Sequence, residues 1–457
     1  MPETLPETLE PIVKFDRLDA RQILDSRGYP TLEVRLHLPD GSSMIASTPS
    51  GASTGAHEVV ELRDGSGTDG PPPSGRESDP WQRVGGFDGR GVNLALTAAT
   101  GPVADLLCSG RDWSDQREVD DALHALDGTP NLSRLGANTV IAVSMATARA
   151  FAAAAGLTVA QWIARQSGQV PRMPVPHFNV INGGAHAANG LAFQEFMIAP
   201  VGAPDTVSAL QCGAEIHHRL KVLLQQAGHD TGLGDEGGFA PRLTCPEEVL
   251  DLLVEAIEAA GYTAERDQVA IALDPAANSF HRDGSYHLTS DKRVNASGLI
   301  DLYEELLDRY PIRSIEDGCA EDDLDGWQEM TRRLGERIQI VGDDLLVTDP
   351  GRIRAAAREN LATSALIKPN QIGTVSRTLD ALAAARDVGF TTMVSHRSGE
   401  TLDTFVADLA VGGATGQIKA GAPARGERLA KYNRLSELSA DYPQWAYGLP
   451  VDPSSSR

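Results

Sequence analysis

The pattern of apolar and polar positions divides the chain in two. From Lys14 to about Ser47, apolar and polar residues alternate in "ARQILDSRGYPTLEVRLHL" around Gly28–Tyr29–Pro30, which predicts strands joined by a turn. From about 92 to 165 the spacing becomes helical and Ala-rich, as in "NTVIAVSMATARAFAAAAG", with Gly156 placed to stop a helix. Strands followed by helices make residues 14–170 a small α+β domain. Three prolines within 171–176 mark a boundary leading into a further strand.

Beyond that boundary, short apolar runs recur, each ending on polar or ionisable residues and followed by an amphipathic helix. "VAIALD" ends at Asp274, "IRSIED" reaches Glu316 and Asp317, and "IQIVGDD" reaches Asp343. "SALIK" ends at Lys368, "TTMVSH" at His396 and "GQIK" at Lys419. Successive ends lie 42, 27, 25, 28 and 23 residues apart, about the length of a strand, a helix and two loops. The intervening "LIDLYEELLDRY" puts Leu299, Ile300, Tyr303, Leu306 and Leu307 on one helical face and stops before Pro311. Such units make either a closed barrel or a doubly wound sheet. Six consecutive strand tips bearing polar groups favour the α/β barrel, whose sites are assembled at the C-terminal rim of the strands. The barrel is assigned to 171–435. An acidic, Pro-containing arm (1–13), a Gly/Pro/Ser-rich disordered loop (65–91) and a C-terminal tail (436–457) complete the organisation.

Composition narrows the function. A net charge of -23 and a pI near 4.8 argue against nonspecific binding to nucleic acid or anionic membranes, so an anionic ligand needs a local cationic pocket. Cys108, Cys212, Cys245 and Cys319 are scattered, with neither a disulfide framework nor zinc spacing. The first residues lack a basic start and an apolar core, and no apolar run reaches 18 residues. The expectation is a cytoplasmic protein that engages neither membrane nor nucleic acid.

The rim then supplies chemistry. Asp274, Glu316 and Asp343 end three successive strands, and three carboxylates facing one mouth repel unless a cation holds them. An all-oxygen set of this kind suits a hard divalent ion, Mg²⁺ before Mn²⁺. Lys368 and Lys419 end two more strands; beside a divalent ion and each other, their ammonium forms are disfavoured, which would bring a lysine pKa down toward a base's range. Arg397 and Ser398, with the backbone at Gly399 and a helix expected near Thr401, form a donor cluster suited to phosphate. "GLGDEGGF" places Asp235 and Glu236 among glycines. "INGGAHAANGLAFQEFMIAP" offers His186, Gln194 and Glu195, and "TPSGASTGAHE" is a small-residue loop able to close over a ligand. His217 and His218 read as packing or surface groups. Metal, phosphate donors, a perturbed lysine and a separate acid suit removal of a proton next to a carboxylate, with acid-assisted loss of a β-hydroxyl.

The motifs "SGASTG", "NGGAHA", "QEFMIAP", "GDEGGFAP", "SIED", "VGDD", "IKPNQIG", "VSHRSGETLDTFVADLAVG" and "GQIKAGAPARGERLAKYN" occur in order between about 18 and 435, and they closely resemble the enolase family. The resemblance implies a small α+β domain followed by an enolase-type α/β barrel whose first strands depart from regular alternation. It implies interconversion of 2-phosphoglycerate, a small phosphorylated carboxylate, with phosphoenolpyruvate and water, using two Mg²⁺ in a homo-oligomer, either dimer or octamer. Carried over by motif, Asp274, Glu316 and Asp343 resemble ligands of one metal, and Ser53 the group meeting the second together with substrate phosphate. Lys368 resembles the base at C2, and Glu236, supported by Glu195, the acid at the C3 hydroxyl. Arg397 and Ser398 resemble phosphate holders and Lys419 a carboxylate contact; His186, Gln194 and His396 resemble further pocket groups.

Departures from the family pattern cluster near the strand tips: Gly318 and Cys319 replace Pro and a bulky residue, Ala420 replaces Thr, and Asn278–Ser279 replace Ser–Glu. Tyr29 stands for a common Asn, the 65–91 segment is longer than usual, and an acidic helix sequence after "AKYN" is missing. A second expectation is therefore a diverged synthase of the carboxyphosphonoenolpyruvate type, from phosphonate biosynthesis. A third is a binding protein on the same scaffold, which should have lost charged site residues; none is lost.

Overall fold

The computed structural model describes residues 11–51, 55–65, 87–187, 189–289 and 291–449. Ser53, most of the expected arm and 65–91 loop, and the end of the tail lie outside the described residues. Strands β1 (Arg17–Leu24) and β2 (Pro30–His37) pair antiparallel, Leu24 opposite Pro30, and Gly28 at φ 78° allows the turn between them. β3 (Ser43–Ser47) adds to β2. Alternate residues of β2, Leu32, Val34 and Leu36, are buried; this sheet packs on helix Ala137–Ala154. That helix is the one described helix long and apolar enough to cross a membrane, but 83% of it is buried inside the protein, as befits a core helix.

The barrel begins with β4 (Val175–Asn182), β5 (Glu195–Pro200) and β6 (Val269–Asp274). Three short strands, β7 (His281–Arg282), β8 (Ser285–His287) and β9 (Arg293–Val294), form a separate flap. β10 (Ile312–Glu316), β11 (Gln339–Gly342), β12 (Ser364–Ile367), β13 (Thr391–Ser395) and β14 (Gln417–Lys419) complete the ring. The closed order is β10-β11-β12-β13-β14-β4-β5-β6. Neighbours run parallel except β5, which is antiparallel to both β4 and β6. This reversal sets Glu195, the first residue of β5, opposite Asp274, the last of β6. An acid at the start of a strand thus reaches the same rim as acids at the ends of others.

Val341, Leu366 and Met393 form a small apolar cluster, each two residues before Asp343, Lys368 and Ser395 on the same strand face. They floor the polar rim. The two domains meet at that rim: Ser50 and Gly399 exchange backbone hydrogen bonds of 2.7 and 2.9 Å. The last helix, Gly426–Asp441, runs through residue 435 and buries Arg428, Lys431, Tyr432, Leu435 and Leu438.

Candidate active site

The strand tips and the Glu236 loop line a small polar cavity with about 30 Å³ of free space. Its walls include His186, Gln194, Glu195, Glu236, Asp274, Asp343, Lys368, His396, Arg397, Ser398 and Lys419; Glu58 reaches it from the N-terminal domain. On one side Lys419 Nζ donates to both Glu316 oxygens at 2.8 Å, to Asp274 Oδ2 at 3.1 Å and to Glu195 Oε1 at 3.3 Å. Lys368 Nζ donates to Asp343 Oδ2, and Gln371 Nε2 to Asp343 Oδ1 at 2.9 Å. Asp274 and Glu316 therefore gather on one lysine and Asp343 on the other. The groups whose ligand atoms lie within 4.8 Å of one another, among the described residues, are Asp317–Asp343–Asp344 and His186–Glu195–Glu236.

Burial sets the electrostatics. Three buried carboxylates (Asp274, Glu316, Asp343) meet only two ammonium groups (Lys368, Lys419), a negative surplus that a bound cation would offset. Burial and then the Asp274 charge push Glu316 well above the usual carboxyl range. Asp317 rises for the same reason, with Asp344 and Asp343 beside it, and Asp344 is pushed up to about 7 by burial and Asp343. Carboxylate oxygens are the donors a hard divalent ion takes, but Asp274, Glu316 and Asp343 do not form a single close group: Asp274 and Glu316 share Lys419 while Asp343 binds Lys368.

Lys368 differs from the sequence reading. Burial opposes its charge, but Asp343 in contact holds the ammonium above its ordinary value instead of letting it fall. The expectation of a depressed lysine assumed a cation as its nearest neighbour, whereas the nearest neighbour is a carboxylate.

Opposite Lys368, burial and the nearby Glu236 charge push Glu195 well above its usual value. Burial works against ionisation of Glu236 too, but the His186 and His396 rings and Arg428 bring it below the ordinary range. Asn179 Nδ2 donates to Glu236 Oε2 at 2.9 Å, and His396 Nε2 and His186 Nδ1 lie 3.5 and 3.8 Å from the same oxygen. Of the two carboxyls, Glu195 is the one whose surroundings favour the protonated form.

On the remaining wall, Arg397 is held by Glu58 in a bidentate pair of 2.9 and 3.1 Å, with Asn370 Oδ1 at 3.2 Å. Ser398 Oγ lines the cavity and is buried with no hydrogen-bond partner among the described residues. The helix expected at Thr401 begins instead at Phe405, because Asp403, tied to Arg149 at 2.7 Å, accepts from Phe405 N at 2.8 Å.

The departures stand behind the cavity. Tyr303 OH donates to Gly318 O at 2.9 Å, and a Cβ at 318 would come within 2.7 Å of Met330 Sδ and 2.9 Å of Ile315 Cγ2. Burial pushes the Cys319 thiol up to about 12. Asn278 donates to Asp344 Oδ2 at 2.9 Å and accepts from Glu321 N at 2.8 Å. None of Gly318, Cys319, Asn278, Ser279 or Ala420 lines the cavity. Gly318→Ala should therefore cost about 1–3 kcal/mol by overpacking, read as a lower urea midpoint. An unchanged midpoint would show that Met330 and Ile315 yield freely.

Sequence reasoning overlooked Glu58, Asn179, Gln371 and Arg428. One signal was available for Arg428: it shares the buried stripe 428, 431, 432, 435, 438 with Lys431, so two cations occupy an otherwise apolar helix face. Glu58 and Gln371 act across domains, which spacing along one chain does not reveal. Comparison with known families gives two matches: residues 15–163 with the model described as "Enolase, N-terminal domain", and 171–445 with "Enolase, C-terminal TIM barrel domain".

Proposed function

The chain belongs to the enolase family, and on that footing we propose that it interconverts 2-phosphoglycerate with phosphoenolpyruvate and water. The observation that carries this reading is the placement of Lys368 and the Glu195–Glu236 pair on opposite walls of one cavity. Lys368 follows β12, and Glu195 opens β5, four strands away around an eight-strand ring. A base and an acid so placed can act on opposite faces of one C2–C3 bond.

Asp274, Glu316 and Asp343 are the residues that would hold a divalent ion, Mg²⁺ being the family's usual metal, with Ser53 meeting a second. Bound metal would neutralise the negative charge that builds on the substrate carboxylate as C2 loses its proton. Lys419 meets that carboxylate, while Arg397 and Ser398 hold the phosphate. Lys368 takes the C2 proton as the neutral amine, so Asp343 must then be engaged elsewhere. Glu236, whose surroundings favour its ionised form, takes up the proton that Glu195 favours and passes it to the departing C3 hydroxyl. His186, Gln194 and His396 complete the pocket around it.

Asp343→Ala should raise the Mg²⁺ concentration needed for half-maximal activity by tenfold or more, on the order of 1.4 kcal/mol of lost coordination. An unchanged Mg²⁺ titration would remove Asp343 from the metal site. The reaction itself is tested by incubating the protein with 2-phosphoglycerate and Mg²⁺ and following phosphorus resonances. The phosphoenolpyruvate signal is expected. Its absence, with conversion of a phosphonate-bearing carboxylate instead, would replace this reading with the synthase one.

A further inference from the structure

Arg428 lies in the first turn of the last helix, is fully buried, and sits beneath the cavity without lining it. Its Nη1 is 2.5 Å from His396 Nδ1 and 2.7 Å from Arg397 O. Its Nη2 donates to Ser398 O and, at 3.1 Å, to Asp235 O. One guanidinium therefore ties the backbone of the loop after β13 to the loop that carries Glu236.

The contact with His396 has a chemical consequence. A guanidinium has five N–H donors, no acceptor, and does not lose its proton in proteins. A ring nitrogen that receives its hydrogen bond must present a lone pair. Nδ1 of His396 is thus an acceptor, and the neutral ring carries its single proton on Nε2. Burial independently favours the neutral ring, bringing His396 down to about 4. Nε2 lies 3.5 Å from Glu236 Oε2 and makes no hydrogen bond among the described residues, so in this tautomer its N–H is an uncommitted donor beside the acid in the cavity wall. With the proton on Nδ1 instead, Nε2 would turn a lone pair toward Glu236 and compete for the proton that the hydroxyl must receive.

We propose that Arg428 is a positioning residue for the reaction: it fixes His396 as the Nε2–H tautomer and locks the phosphate-holding loop to the loop of Glu236. The role in turnover rests on the function proposed above, whereas the tautomer does not. The test is the nitrogen NMR of histidine-labelled full-length protein near pH 7.5, with His396→Gln used to assign the resonances. The expected pattern for His396 is an unprotonated Nδ1 and a protonated Nε2. A protonated Nδ1, or a charged ring, would overturn the proposal whether or not 2-phosphoglycerate is turned over.

Two variants separate positioning from mere packing. Arg428→Lys retains a donor and should keep the tautomer, whereas Arg428→Met should yield mixed tautomers. In Arg428→Met, kcat should fall by about 10²-fold while KM moves much less, the expected effect of a misplaced catalytic group. A His396 tautomer unchanged in Arg428→Met, or a changed tautomer with kcat within about threefold of the parent, would refute the role. Should Arg428→Met fail to fold, the spectrum of the unmodified protein and of Arg428→Lys still decides the tautomer.

Discussion

Replacing Lys368 by Ala should abolish both exchange of the C2 proton with solvent and formation of phosphoenolpyruvate, each by about 10³–10⁴-fold. Lys368 is 9% exposed, follows a strand whose preceding residues are all buried, and faces the cavity at one fixed depth. Among the described residues the other lysine lining the cavity is Lys419, and it is already engaged by Glu195, Asp274 and Glu316. Those three carboxylates hold its charge well above the ordinary lysine range despite burial, against the single carboxylate in contact with Lys368, which makes Lys419 the poorer base of the two and a good partner for a substrate carboxylate. The measurement is loss of deuterium from C2-deuterated 2-phosphoglycerate. Retained exchange in Lys368→Ala would assign the base elsewhere.

Replacing Glu236 by Gln should have the complementary effect. C2 exchange should persist near the parent rate, while loss of the hydroxyl should fall by about 10³-fold. An amide can keep the hydrogen bond from Asn179 by turning its oxygen toward it, but it has no acidic proton to give. The two substitutions thus separate the half-reactions. Were exchange lost in Glu236→Gln and retained in Lys368→Ala, base and acid would be reversed.

The barrel was legible because its units are local: apolar runs of strand length, polar tips and helix-length gaps repeat at intervals that no tertiary information is needed to see. Asp274, Glu316, Lys368, His396 and Lys419 all stand at or just beyond strand ends and converge as that repeat requires. Glu195 stands at a strand start, and "QEFMIAP" carries no signal of strand direction; only the antiparallel pairing of β5 places it at the rim. Its role came from family resemblance, not from periodicity.

The finer electrostatics were not legible either. The direction of the Lys368 shift depends on which charge lies nearest, and that is the Asp343 carboxylate 25 residues earlier. Likewise the bidentate Glu58–Arg397 pair spans 339 residues and two domains. Spacing can nominate charged residues but not pair them. The departures at Gly318, Cys319 and Ala420 changed meaning in the same way, since only packing shows that they stand behind the cavity wall.

The most direct measurement is the initial rate of phosphoenolpyruvate formation from 2-phosphoglycerate and Mg²⁺, followed by ultraviolet absorbance with Lys368→Ala as the blank. The account predicts a turnover on the order of tens per second, within the usual range of metabolic enzymes. A rate no greater than that of the Lys368→Ala blank, from protein that still binds Mg²⁺ and phosphoenolpyruvate, would contradict it.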